Sequence, residues 1–247
     1  MKRSGMGMAA VFIEAGQPLE IQRFDIPALE AGETLVQITH STICGSDLHT
    51  YEGRRSAPAP SILGHEIIGV IESLGDGAPL QDQNGLPLAP GDRVTWAIAS
   101  SCGRCFFCMH QLPQKCEEMV KYGHERLQAG REWRGGLAEY CVLVPGAAIF
   151  RIPYPLSDET ACPANCATAT VAAAVRVAGA VKGLAVLIQG AGMLGVTACA
   201  MARFMGAAEV ICCDINPVRL LKAEEFGATR VAYPGDLSSV VRAATSK

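Results

Sequence analysis

Residues 102 to 116, CGRCFFCMHQLPQKC, place four cysteines in fifteen positions, and no other feature restricts the chain so much. Cys102-x-x-Cys105-x-x-Cys108 sets three sulfurs on successive tight turns. Cys116 brings back a fourth from a short loop, with Gly103 and Pro113 helping the chain reverse. Such a set suits a tetrahedral zinc ion at about 2.3 Å per bond. Free or paired thiols and an iron–sulfur cluster are the other readings, although cluster spacings usually differ. An ion held by four thiolates has no open position for substrate or water, so its expected role is structural. In small metal modules such an ion contributes folding free energy on the order of 10 kcal/mol.

With 49% hydrophobic and 18% charged residues, the 247-residue chain can bury a core for one large or two ordinary domains. Its net charge of -3, with no basic run beyond Lys2-Arg3 and Arg54-Arg55, argues against nucleic acid and membrane surfaces as partners. The first apolar stretch is short and broken by Glu14, unlike a signal peptide. The most apolar region, 167–202, is interrupted by Arg176, Lys182 and a glycine-rich turn, unlike a membrane span. A cytoplasmic protein is expected. In a reducing compartment, eleven cysteines point to metal ligands and buried thiols rather than disulfides.

From residue 8 to about 150, short β-like runs at 9–12, 34–38, 67–73, 93–97, 137–144 and 148–152 alternate with Gly/Pro turns. This predicts a small β-barrel with long loops, 75–91 being an exposed excursion. From Ser157 the texture changes. Ser157 reads as an N-cap ahead of Asp158 and Glu159, opening an alanine-rich helical stretch whose apolar spacing runs over 168–180. The apolar run 184–189, a glycine turn, a helix to about Phe204, a strand at 209–214, a helix at 217–226 and a strand at 229–233 follow. That βαβαβ order calls for a parallel sheet, and the expected domains are 8–156 and 157–247. The chain stops in what reads as a further helix, 237–244.

Gly190, Gly192 and Gly195 follow an apolar strand and open a helix, and Asp214 closes the next strand 19 residues after Gly195. In that setting the glycines permit a tight turn and the approach of a pyrophosphate to a helix N-terminus. Asp214 would take ribose hydroxyls and repel a 2'-phosphate, which favours NAD over NADP.

A second set of metal-competent groups lies in Ser41-Thr-Ile-Cys-Gly-Ser-Asp-Leu-His49 and in Gly64-His65-Glu66. Cys166 adds a thiol; two thiolates and one imidazole neutralise a zinc ion and leave a position open for chemistry. Each piece alone is a weak signal. Together with the four-cysteine run and the glycine turn, in this order and approximate spacing, they resemble the zinc-dependent medium-chain alcohol dehydrogenases over essentially the whole chain. Within them, STICGSDLHT, PSILGHE, LPQKC, KYGHE and NCATATVAAAVR are most similar to the subgroup described as phosphonate-catabolism-associated alcohol dehydrogenase.

The resemblance implies a GroES-like catalytic domain followed by an incomplete Rossmann unit, because only three of the family's six nucleotide-domain strands can be found. A truncated gene product, or a fragment of a longer enzyme, is therefore expected. By the same resemblance Cys44, His65 and Cys166 hold a catalytic zinc ion, Glu66 sits beside it or exchanges onto it, and Asp47 orients the His65 ring. Zinc lowers the pKa of bound water from about 15.7 to about 7, and an alcohol that must lose its proton before hydride leaves needs a shift in that sense. Ser46 accepts the proton and passes it, through cofactor hydroxyls, towards His49.

For the dinucleotide, Met193 and Leu194 in the turn, Thr170 and Arg219 join Gly190, Gly192, Gly195 and Asp214. The family's cation next to the first zinc ligand is Gly45 here, so phosphate contacts come from elsewhere. The implied activity is NAD-linked oxidation of a small alcohol, with a hydroxyalkyl phosphonate as one candidate and a homo-oligomer as the expected assembly. Arg54-Arg55 and Lys121-Tyr-Gly-His124 are the cations that would suit an anionic substrate. A polyol or threonine dehydrogenase is the runner-up, and an inactive zinc-binding fragment is the alternative from another class.

Overall fold

Alternating side chains shape the first strand, Met6–Phe12 (β1): Gly7, Ala9 and Val11 turn inward while Met6 and Met8 face out. The computed structural model describes residues 5–245. They fall into two compact units, Met1–Cys166 and Ala167–Lys247.

In the first unit β1 pairs with Glu20–Asp25 (β2) on one side and Ser61–Ile62 (β4) on the other, both antiparallel. Thr34–Thr42 (β3), Glu66–Leu74 (β5), Arg93–Trp96 (β6), Tyr140–Leu143 (β7) and Ile149–Arg151 (β8) form an antiparallel sheet in the order β7-β3-β5-β6-β8. One segment stitches the two sheets. Ala10 N donates to Leu137 O and Glu139 N donates to Met8 O, while Glu139 O accepts from Ile38 N and the chain continues as β7 against β3. Two stitched sheets thus stand where the sequence reads as a small barrel.

Trp96, Tyr122, Ile67, Ile71, Val36 and Leu143 are buried in the main core of this unit, each side chain contributing roughly 1.5–3 kcal/mol. Gly69 lies where β5 crosses β3: an added Cβ would meet Gln37 O and Val36 Cγ1, each at 2.4 Å. Of its strands, β2 and β4 were not legible. The residues EIQRFD of β2 are exposed or half-buried throughout, and β4 has only two residues.

Three short helices belong to this unit: Gly45–Tyr51 (α1), Phe106–Met109 (α2) and Asp158–Ala161 (α3). Ser157 caps α3, its hydroxyl accepting from Thr160 N at 3.4 Å. The helical stretch opened by Ser157 is not continuous. Pro163 starts a 3-10 turn, Cys162–Asn165, and Cys166 leaves helical geometry at φ -119, ψ -88 before Ala167–Ala178 (α4) begins.

In the second unit Ala185–Gln189 (β9), Met193–Phe204 (α5), Glu209–Cys213 (β10), Pro217–Glu225 (α6), Arg230–Ala232 (β11) and Leu237–Thr245 (α7) alternate as the sequence predicts. The sheet is parallel with order β11-β10-β9. Its middle strand carries Val210, Ile211 and Cys212 fully buried, with Val210 and Cys212 packed against Val196, Cys199 and Ala223 of the helices. Pro217 occupies the first turn of α6, and Asn216 caps it by accepting from Val218 N at 2.9 Å and Arg219 N at 3.2 Å. No helix among the described residues is long and apolar enough to cross a membrane.

Candidate metal centre and dinucleotide turn

Cys44 stands between β3 and α1, as the N-cap of the helix. Its backbone N–H donates to Asp47 Oδ2 at 2.9 Å, which ties the thiol-bearing residue to the first helical turn. The other oxygen of this buried carboxylate accepts from Gly64 N at 3.3 Å. It also lies 3.3 Å from His65 Nδ1, a charge contact that falls short of hydrogen-bond geometry. One carboxylate therefore reaches both segments, and its place beside Nδ1 leaves Nε2 for a metal. Gly64 takes φ +88, and a Cβ there would press on Leu137 N at 3.0 Å, so glycine is required just before His65.

Glu66 begins β5, is buried, and its Oε2 accepts from the Thr42 hydroxyl at 2.5 Å. Cys166 arrives on the far side of the 3-10 turn, which is docked on the same strand. Asn165 Nδ2 donates to His65 O at 2.9 Å and to Trp96 O at 3.0 Å, and Cys162 Sγ donates to Glu66 O at 3.2 Å. The outcome is convergence: one ligand atom each from Cys44, His65, Glu66 and Cys166 lies within 4.8 Å of all the others. Cys44 Sγ and Cys166 Sγ are 4.0 Å apart. Two thiolates on one tetrahedral zinc ion at about 2.3 Å per bond would be about 3.8 Å apart, so the donor set and its spacing fit zinc.

The charges are balanced unevenly. Burial opposes ionisation of Cys44, but the Ser46 backbone N–H and hydroxyl, and then His65, outweigh it and hold the thiol below its ordinary value. Burial, followed by the charges on Cys44 and Glu66, pushes Cys166 up to about 12. For His65 burial favours the neutral ring, yet Asp47 and then Cys44 raise it. The surroundings favour one thiolate and disfavour the second, which is the arrangement a dication relieves. Ser46 is half-buried beside Cys44, and His49, on the same short helix, is exposed.

Sequence reasoning left three groups out of this site. Thr42 and Asn165 fall inside the runs STICGSDLHT and NCATATVAAAVR without a role attached to them there, and Cys162 falls in none. His124, which the sequence offers only as one of the cations, has its ring centroid 5.1 Å from that of His65 and its Nδ1 3.0 Å from Tyr122 O. Burial pushes it down to about 4; the bond to Tyr122 O opposes this, while Lys121, His65 and Arg55 reinforce it. Arg54 points elsewhere, paired with Glu52.

The four-cysteine run also converges, its sulfurs all within 4.8 Å of one another. Gly103 at φ +72 and Gln111 at φ +60 reverse the chain around α2, and a 3-10 turn, Pro113–Lys115, delivers Cys116. Backbone N–H groups already point at sulfur: Cys102 N donates to Cys116 Sγ at 3.2 Å and Cys105 N to Cys102 Sγ at 3.3 Å. Donors from Cys108 and Glu117 lower Cys105 to about 6, while burial and then the other sulfurs push Cys108 up to about 12. The set fits a four-thiolate zinc ion.

In the second unit Gly190 leaves β9 at φ +98 and Gly192 caps α5. A Cβ on Gly195 would fall 1.8 Å from Gly190 O, so the helix approaches the turn as closely as backbone allows. Asp214 Oδ2 accepts from Ala191 N at 2.6 Å and Oδ1 from Asn216 N at 2.8 Å; these bonds lower its pKa. The acid thus braces the glycine turn. Met193, Leu194, Thr170 and Arg219 are all exposed on this unit.

Residues 30–154 match the family described as Alcohol dehydrogenase GroES-like domain, and residues 162–245 match Alanine dehydrogenase/PNT, C-terminal domain. A 5-exo-hydroxycamphor dehydrogenase of Pseudomonas putida is 34% identical over 233 residues, covering 92% of this chain and 62% of the relative. An alcohol dehydrogenase of Geobacillus stearothermophilus is 35% identical over 230 residues, 92% of this chain and 63% of its own length. The crystal structure of an alcohol dehydrogenase from Thermotoga maritima superposes with a TM-score of 0.86 at 32% identity, covering 96% of this chain and 66% of that one. The chain therefore spans less than two thirds of the length of these relatives.

Proposed function

Because the chain belongs to the zinc-type medium-chain alcohol dehydrogenase family, we propose that it carries the metal-binding and dinucleotide-binding parts of an NAD-linked oxidoreductase that interconverts an alcohol and a carbonyl compound. The convergence of Cys44, His65, Glu66 and Cys166, with Asp47 behind the imidazole, carries this reading. When bound there, zinc supplies a Lewis acid that acidifies a hydroxyl group. Cys44 and Cys166 neutralise its charge, and Asp47 holds the His65 ring. Ser46 takes the hydroxyl proton, and His49 on the same helix, facing water, releases it. The four-cysteine lobe holds a second, structural zinc ion. Gly190, Gly192 and Gly195 receive the pyrophosphate of NAD, and Asp214 takes its ribose and disfavours NADP. Self-association is part of the proposal, since among the described residues β9 has β10 on one side only and its residues AVLIQ are uncharged.

We extend the proposal to an alcohol bearing an anionic group, such as a hydroxyalkyl phosphonate. Arg55 and Lys121 both act on His124, and His124 lies against His65, so positive charge gathers beside the centre. The test is NADH formation by the zinc-loaded protein over a panel of neutral and phosphonate-bearing alcohols, with NAD binding followed by calorimetry. Arg55→Ala should raise KM at least about tenfold for the charged alcohols only. Equal effects on both classes would remove the anionic substrate, and absence of both NAD binding and alcohol-dependent NADH would remove the oxidoreductase.

A further inference from the structure

Asn165 precedes a metal-competent thiol, and its amide links that thiol's turn directly to the segment that carries His65. Its amide nitrogen donates twice, to His65 O at 2.9 Å and to Trp96 O at 3.0 Å. Trp96 is fully buried on β6, and His65 immediately precedes β5. The acceptors are therefore fixed points in the rigid part of the unit. At the other end of the same 3-10 turn, Cys162 Sγ bonds Glu66 O at 3.2 Å. The turn is pinned at both ends to the carbonyls of two consecutive residues whose side chains belong to the metal group.

The turn is also held at its Cys162 end, where Cys162 is fully buried with Ile68, Ile152 and Ala161, so the Asn165 amide matters as the clasp at the Cys166 end. The turn is four residues long, contains Pro163, and is followed at Cys166 by a non-helical backbone. A short 3-10 segment has poor internal hydrogen bonding, so its position depends on external anchors. A ligand displaced by about an ångström weakens a preorganised site, and supporting side chains of this kind typically change metal affinity about 10–100-fold.

We propose that Asn165 is a positioning residue: its amide clasps the Cys166 turn to the His65 carbonyl and so sets the distance between the Cys166 thiol and the rest of the metal group. The proposal rests on the reading of Cys44, His65, Glu66 and Cys166 as a metal site. It assigns Asn165 no contact with substrate.

The test uses the full chain loaded with cobalt(II) as the spectroscopic substitute for zinc, in the wild type and in the variants Asn165→Ala and Asn165→Asp. The aspartate keeps the size of the side chain and removes both donors. Release to EDTA is followed at the two centres, which differ in their thiolate-to-cobalt charge-transfer bands. The four-cysteine lobe serves as the internal measure of folding. In both variants the mixed Cys/His centre should release metal about 10–100-fold faster, with shifted visible bands, while the lobe is unchanged. Release at unchanged rates, or equal acceleration at both centres, in the two variants would overturn the clasp. A wild type whose only cobalt is in the lobe would overturn the metal reading itself, and the clasp with it.

Discussion

Asp47 and Asp214 show how much a single carboxylate can organise. Asp47 joins the Cys44 N–H, the Gly64 N–H and the Nδ1 side of His65, and Asp214 joins the glycine turn to the start of α6. Asp214→Ala should therefore do two things: weaken NAD binding by loosening the turn, and narrow the preference for NAD over NADP about tenfold or more. Paired calorimetric titrations check this, and a wild type that binds NADP more tightly would reverse the assignment. Cys105→Ser should cost the lobe its metal, seen as loss of one zinc position by elemental analysis and a fall in soluble yield, since a three-thiolate remnant binds poorly. At this scale the sequence was legible where residue type and spacing carry the chemistry, as with the seven cysteine and histidine side chains that converge in two groups. Asn165 and Thr42 act through backbone carbonyls and a neighbouring carboxylate, contacts made only when distant segments meet.

Among the elements, legibility followed apolar runs in the sequence rather than burial, since β9 is exposed or half-buried throughout yet reads as a strand. Runs with an apolar face, such as 67–73, 184–189 and 209–214, became β5, β9 and β10. The polar β2 gave no signal because partnership with β1, not its own hydrophobicity, holds it in place. The 75–91 excursion is better ordered than a solvated loop. Asp82 is buried there and accepts from Asn84 N at 2.8 Å, Leu86 N at 2.9 Å and Arg151 N at 3.0 Å. Burial opposes ionisation, but these donors and the Arg151 charge outweigh it and lower the pKa. A depressed carboxylate stabilises the fold above its unfolded value of about 3.9 and loses that contribution as pH falls through the folded value. Melting temperatures of wild type and Asp82→Asn should thus differ by several degrees at pH 6 and converge as the medium is taken well below pH 4. A constant difference across that range would show that the charge is not involved.

For the whole molecule, the order of elements told the division of labour: antiparallel strands with metal-competent loops first, a parallel βαβαβ unit second. What it could not give was the closure of the first unit. The sequence reads as a barrel because short β-like runs alternate with Gly/Pro turns, but one of those runs, 137–144, is divided between two sheets, its first residues bonding β1 and its last pairing with β3. This sharing has a kinetic consequence. Peeling the segment away would strip an edge from both sheets at once, so it cannot fray by itself. In deuterated buffer the amides of Glu139 and Cys141 should be among the slowest in the first unit to exchange, by roughly the global unfolding free energy, while those of β2 label early.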